Sequence, residues 1–239
     1  MDQTLLIALA TAGAAGLMRG FAGVGSGMLM APIFVLLFGP LDTVAMIVVM
    51  ELVVTAQLLP GIRGSVDWRV IAPMGLVAAA FMPVGTWLLV TLDADLIARG
   101  MALVVLVFSA VLMTGWRYAG PKPLPATLGV GAASGVLMAS TSLGNPPVMI
   151  YLLSSGDGAA VNRANFTGYF AITLITLLVW MTVLGLVSLT AVKQAAILLP
   201  AFMAAAWLGA RLFRKSSELL YRRLALGLLI CAGLYGLLR

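Results

Sequence analysis

Two short stretches of this chain have the residue types of an anion-binding site. The first, GFAGVGSGMLMAP (residues 20–32), has four glycines within its first eight positions. The second, STSLGNPP (residues 140–147), places Asn145 directly before two prolines. Glycines interrupt a helix, and an asparagine followed by prolines is typical of a helix start. A helix that begins at such a break directs unpaired N–H groups and the positive end of its dipole toward the break, which favours an anion there.

We predict that both stretches contribute to one site, through backbone amides and neutral side chains. In the first stretch Ser26 or Gly25 would cap a short helix that begins near Gly27. In the second, Asn145 would be the cap. The candidate ligands are Gly25, Ser26, Gly27, Ser140, Thr141, Ser142, Gly144 and Asn145. A second interpretation applies to the first stretch, because Gly16, Gly20, Gly23 and Gly27 also have the small-xxx-small spacing that lets helices pack closely without a ligand.

Three further polar residues are candidates because they lie in apolar segments. Arg19 precedes the first break, and it could hold an anion directly or pair with Glu51. Glu51 could instead take up a proton and couple substrate movement to a proton gradient. Asn165 lies within one turn of the position that corresponds to Glu51 in the second half of the chain, and we include it among the substrate-binding candidates.

The elements that position these residues are transmembrane helices. Of the 239 residues, 62% are hydrophobic and only 9% are charged, against about 25% charged residues in a typical soluble domain. Segments long enough to span a bilayer are predicted at residues 41–62, 68–90, 96–116, 160–185, 190–212 and 219–238. The sequence therefore predicts an all-α polytopic membrane protein with one membrane domain, residues 1–239.

The predicted segments fall into two groups of three, each preceded by a broken or re-entrant helix pair. The pairs are residues 4–20 with 27–38, and residues 124–139 with 146–154. At an offset of 124 residues, Gly85 falls on Gly209. We interpret residues 1–118 and 119–239 as two repeats.

Charge predicts how the repeats are oriented. If each broken pair counts as an even number of crossings and the N-terminus is outside, the inside connections hold most of the 14 basic residues. These connections are residues 63–69, 116–125, 156–163 and 211–223. Each repeat then crosses an odd number of times, so the positive-inside rule favours two inverted repeats.

Composition also excludes several classes of function. The net charge of +6 does not indicate nucleic-acid binding, because the basic residues lie in connections where membrane topology requires them. The chain has no histidine and one cysteine, which excludes a Cys/His metal cluster and histidine-dependent catalysis. We expect no enzyme activity, no metal and no cofactor.

The whole pattern resembles the sulfite exporter (TauE/SafE) family of membrane carriers. The resemblance rests on RGFAGVGSGMLMAPIF (residues 19–34), Glu51, GNPPVMIYLL (residues 144–153) and NRANFTGYF (residues 162–170). It covers essentially the whole chain. It implies transport of small sulfur-containing or organic anions, such as sulfite, thiosulfate or sulfonates, across the bacterial inner membrane. A more distant thiosulfate-uptake group is thought to use cysteines along its path, and this chain has none at the breaks.

Two mechanisms stay open at this point. The first is a secondary carrier that works by alternating access around a site at the bilayer midplane, with the anion, the lipid and a coupling proton as its partners. The second is a passive anion channel with the same site. Neither the anion, the direction of transport nor the oligomeric state follows from the sequence.

Overall fold

The computed structural model describes residues 3–114, 123–152 and 159–213. These residues form helices and turns and contain no strand. The helices are α1 (Gln3–Ala22), α2 (Ser26–Phe38), α3 (Pro40–Leu58), α4 (Trp68–Thr91), α5 (Ala94–Thr114), α6 (Leu124–Thr141), α7 (Asn145–Leu152), α8 (Ala159–Val183) and α9 (Leu189–Phe213). Six of them, α1, α3, α4, α6, α8 and α9, are long and apolar enough to cross a membrane.

The helices match the predicted segments closely because local signals set their ends. Gly39 has a φ of 78° and precedes Pro40 at the start of α3. Asp67 begins α4 by accepting a hydrogen bond from the Arg69 amide. Both predicted broken pairs are present, as α1 with α2 and α6 with α7. The last predicted segment, residues 219–238, lies outside the described residues.

Each broken pair folds back toward the end at which it starts. Phe38, at the end of α2, lines a groove together with Thr4, Leu5 and Ala8 at the start of α1. In the second pair, the hydroxyls of Thr127 near the start of α6 and Tyr151 near the end of α7 are 2.5 Å apart. Both pairs are therefore helical hairpins whose tips are the two breaks.

Glycines bring α1 and α9 into backbone contact. A Cβ atom added at Gly16 would overlap the carbonyl oxygen of Phe202, and one added at Gly20 would overlap that of Ala206. Four residues further along α1, from Gly16 to Gly20, the contact moves four residues further along α9, so the two helices run parallel. The small-xxx-small interpretation is thus correct for Gly16 and Gly20, which pack against a neighbouring helix.

The same type of contact joins α6 to α4. A Cβ atom added at Gly131 would overlap the carbonyl oxygen of Met74 and would lie 3.3 Å from the Met74 Cα. One at Gly135 would overlap the carbonyl oxygen of Ala78. These helices also run parallel, since the contact again moves four residues further along both.

Hydrogen bonds at helix starts relate the remaining long helices. The Ser188 hydroxyl, just before α9, donates to Asp42 in the first turn of α3 at 2.8 Å. The Asp67 amide, just before α4, donates to Asn165 near the start of α8 at 2.7 Å. The turn at residues 59–65 after α3 packs against α8. Helices α1, α3 and α9 therefore run in one direction, and α4, α6 and α8 run in the other.

Candidate functional site

The tips of the two hairpins touch each other. A Cβ atom added at Gly27, in the first turn of α2, would lie only 2.9 Å from the carbonyl oxygen of Ser142, between α6 and α7. Ser26 and Ser142 are 1% and 2% exposed. The structure thus brings together, in a buried place, the two stretches that the sequence analysis assigned to one site.

Glycine is required in the first break by its backbone conformation. Gly23 and Gly25 have φ values of 77° and 95°, a region that side chains disfavour. Helix α2 begins at Ser26, one residue earlier than predicted, and Gly25 precedes it as the N-cap. The Ser26 hydroxyl does not cap the helix but donates a hydrogen bond to the carboxylate of Glu51 on α3.

Arg19 is fully buried and ties the first break to α3 and α8. Its Nε lies 2.8 Å from a carboxylate oxygen of Glu51. Its Nη2 donates to the Thr55 hydroxyl at 2.8 Å, and its Nη1 donates to the carbonyl of Gly23. The guanidinium carbon lies 4.3 Å from the centre of the Phe170 ring. The structure therefore contains the Arg19–Glu51 ion pair, one of the two roles considered for Arg19.

This ion pair also stabilises the backbone of the break. The carbonyls at the C-terminus of a helix have no partner within the helix, and Arg19 supplies one for Gly23. A lone charge at this depth would be costly, whereas Arg19 and Glu51 balance each other. Direct contact between Arg19 and an anion stays a prediction.

The second break is held by different means. Ser142 has a φ of 59°, the only positive value among the described residues other than glycine, and its amide donates to Met138 at 3.0 Å. Its buried hydroxyl has no hydrogen-bond partner among the described residues. Ser140 and Thr141 donate to carbonyls of their own helix. Among the described side chains of this break, Ser142 therefore has the hydroxyl that is left available for a ligand.

The sequence profile of the Sulfite exporter TauE/SafE family matches residues 8–236. The chain belongs to this family. This confirms the assignment made from the sequence, and it makes the chain a multi-pass membrane transport protein of a family of anion transporters rather than enzymes. No curated protein and no solved structure matches the chain significantly.

The two hairpins of this TauE/SafE protein differ in the donors that they offer. The first four N–H groups of a helix, counted from its N-cap, have no partner within it, so α2 presents those of Ser26, Gly27 and Met28 after its N-cap Gly25. Helix α7 begins at Asn145 and continues with Pro146 and Pro147, which have no N–H. The side chain of Asn145 lies outside the described part of the structure. The backbone donors therefore come mainly from α2.

The polar groups around Gly144 include two residues that the sequence analysis missed. The Ser134 hydroxyl on α6 donates to the carbonyl of Gly144, and the Tyr169 hydroxyl on α8 donates to Ser134 at 2.6 Å. Ser134 and Tyr169 are 0% and 1% exposed. Tyr169 lies in the NRANFTGYF stretch, yet an aromatic residue in a transmembrane segment gives no signal of such a role.

Asn165, which the sequence predicted as a ligand, and Thr55, which it did not, both form hydrogen bonds within the protein. Asn165 is buried, but its side-chain oxygen accepts the amide hydrogen of Asp67 at the start of α4. Thr55 was missed, although it follows Glu51 by four residues and so shares its helix face, which is a readable signal. In the part of the chain that the structure describes, no group of three or more His, Cys, Asp or Glu residues could hold a metal ion.

Proposed function

We propose that this protein is a secondary transporter that moves a small sulfur-containing or organic anion, sulfite-like or sulfonate-like, across the bacterial inner membrane by alternating access. The observation that carries the proposal is the contact between the hairpin tips, Gly27 against Ser142, in a member of a sulfite exporter family. The substrate would bind between the two tips.

The chemistry at the tips suits a small oxyanion. The N-terminus of α2 carries unpaired amides and about half a positive charge. The Ser142 hydroxyl adds a neutral donor without a protein partner among the described residues. Arg19 is paired with Glu51, so the anion would be held mainly by dipoles, with Arg19 beside the tip as a further candidate contact. Such binding replaces the hydration of the anion and still allows its release.

The proposal includes an inverted-repeat architecture, with residues 1–118 and 119–239 as the two repeats of one domain, residues 1–239. Its support is that the closest helix contacts correspond when the two halves are exchanged. Helix α1 packs on α9 through Gly16 and Gly20, and its counterpart α6 packs on α4 through Gly131 and Gly135. Because α1 and α6 run in opposite directions, the hairpins would enter from opposite faces, as in other secondary transporters.

Cysteine labelling tests this topology. With Cys231→Ala as the background, Lys215→Cys, in the segment after α9 that lies outside the described residues, should react with an impermeant maleimide only from the cytoplasm. Asp93→Cys, in the α4–α5 connection, should react only from the other side. Labelling of both positions from one side would refute the proposed arrangement.

Substitutions at the tips test the binding site. Ser142→Ala and Asn145→Ala should each weaken anion binding by about tenfold, the effect of losing one hydrogen bond to a charged group, with little change in expression. Thr182→Val is a matched control, because the exposed Thr182 hydroxyl bonds only to its own helix at Leu178. Binding that stays at the wild-type value in both tip variants would place the site elsewhere.

The transport activity itself requires a substrate screen. Thermal-shift measurements on the purified protein with sulfite, thiosulfate, sulfoacetate and chloride should show stabilisation by at least one sulfur oxyanion or sulfonate but not by chloride. In proteoliposomes, saturable uptake accelerated by the same anion on the opposite side would identify a carrier. Uptake without such acceleration would indicate the passive channel instead, and no response to any of the sulfur compounds would refute the proposed substrate class.

A proton is the coupling ion that this proposal assigns to the carrier, through Glu51. The carboxylate of Glu51, on α3, accepts a hydrogen bond from the Ser26 hydroxyl at the tip and forms an ion pair with Arg19 at 2.8 Å. Both contacts hold the tip against α3. Protonation of the carboxylate would weaken its attraction for Arg19 and loosen the hairpin. This link would let a proton influence the geometry of the break.

A further inference from the structure

In the described part of each hairpin, a polar side chain anchors a carbonyl of the break. In the first hairpin Arg19 donates to Gly23, and in the second Ser134 donates to Gly144. Both anchoring residues are fully buried, on the first helix of the hairpin. The carbonyls that they satisfy lie in the non-helical segments at the tips, where helical hydrogen bonding ends.

The two anchors occupy equivalent places. Arg19 immediately precedes Gly20, which packs on α9, and Ser134 immediately precedes Gly135, which packs on α4. Each anchor is bound by a residue on the next long helix of its half. Glu51 on α3 pairs with Arg19, and the buried Tyr169 on α8 donates to Ser134 at 2.6 Å. The first anchor is a charged pair, and the second is a neutral one.

We propose that Ser134 and Tyr169 are positioning residues that hold the second hairpin tip, through the Gly144 carbonyl, in the geometry that binds the anion. This inference rests on the proposed anion site. Neither side chain needs to contact the substrate. A satisfied Gly144 carbonyl fixes the segment between Ser142 and Asn145, and thereby the hydroxyl of Ser142 and the start of α7.

The proposal gives Tyr169 a role that packing alone does not require. Tyr169→Phe keeps the ring and its contact with Phe170 but removes the hydroxyl. The KM for sulfite uptake should rise about tenfold, because losing a buried hydrogen bond releases the tip, while the melting temperature changes little. Thr176→Val is the matched control, since the Thr176 hydroxyl, two turns further along α8, donates to the carbonyl of Ile172 on its own helix at 2.9 Å and not to Tyr169. The control should keep the wild-type KM.

A double-mutant cycle distinguishes positioning from general damage. Ser134→Ala should raise the KM at least as much as Tyr169→Phe, because it removes the donor to Gly144 directly. Adding Tyr169→Phe to Ser134→Ala should then have almost no further effect, since Tyr169 acts through Ser134. Additive effects, or an equal KM change in Thr176→Val, would overturn the proposal.

Hydrogen–deuterium exchange tests the inference independently of transport. In Tyr169→Phe without substrate, the amides of Leu143, Gly144 and Asn145 should exchange faster than in the wild type, while those of residues 25–29 keep their rates. Unchanged exchange at the second tip would refute the positioning role. If the wild type transports none of the sulfur anions, the proposed function fails, and faster exchange at the second tip would still establish the anchor.

Discussion

Glu51→Ala should sharply reduce the amount of folded protein in the membrane. Arg19 is fully buried and has Glu51 as its ion-pair partner, so the substitution leaves an uncompensated charge in the interior. Removing one partner of a buried ion pair costs about 3–5 kcal/mol. It also removes the acceptor of the Ser26 hydroxyl at the hairpin tip. Fluorescence-detected size-exclusion chromatography and thermal unfolding in detergent measure the effect.

The double variant Arg19→Gln with Glu51→Gln is the control for this prediction. It removes both charges and keeps hydrogen-bonding groups at both positions, so it should be more stable than Glu51→Ala. If Glu51→Ala instead accumulated and melted like the wild type, the ion pair would have no part in holding the first tip.

The same position tests proton coupling. Glu51→Gln keeps a hydrogen-bonding side chain but leaves Arg19 without its charged partner, so transport is normalised to the amount of folded protein. The variant cannot exchange a proton, so its transport should lose the pH dependence of the wild type if the carboxyl carries the coupling proton. Uptake in proteoliposomes across a range of external pH values measures this. Should Glu51→Gln keep the wild-type pH profile, Glu51 is not the coupling residue, and its role is confined to pairing with Arg19 and accepting the hydrogen bond from Ser26.

Gly20→Ala should be the most damaging of the glycine substitutions in α1. Its new Cβ would lie 2.8 Å from the Cα of Ala206 and overlap the Ala206 carbonyl. Backbone atoms cannot move aside as the tip of a flexible side chain does, so α1 and α9 must separate. Overpacking of this kind costs about 1–3 kcal/mol, and more where a helix contact is lost. We expect a large loss of folded protein in the same chromatographic and thermal measurements.

Each half of the chain offers a matched glycine control. Gly13→Ala, in the same helix, meets no atom within 4 Å and should be neutral or slightly stabilising. In α6, Gly135→Ala should be as damaging as Gly20→Ala, and Gly129→Ala, which also meets nothing within 4 Å, should be tolerated. If Gly20→Ala and Gly135→Ala were tolerated, the protein in the membrane would lack these close helix contacts.

The elements of this protein could be predicted from its sequence because their signals are local. Long apolar runs require helices in a membrane, since the backbone must satisfy its own hydrogen bonds there. Glycines between residues 20 and 27 and prolines after Asn145 place the two breaks within a residue or two of their observed positions. Class, helix ends, breaks and family all depend on residues that lie close together along the chain.

What lies against each break was decided by the tertiary structure. Arg19 is 36 residues from Thr55, and Tyr169 is 35 residues from Ser134, and these pairs form only when the helices pack at particular angles and registers. From the sequence, the partner of Arg19 could be either an anion or Glu51, and the arrangement of the helices places Glu51 beside it. Likewise packing of α8 on α4 places the side-chain oxygen of Asn165 at the Asp67 amide, while a contact of Asn165 with the anion stays a prediction. Side-chain chemistry limits the available partners, and only the three-dimensional arrangement of the helices selects among them.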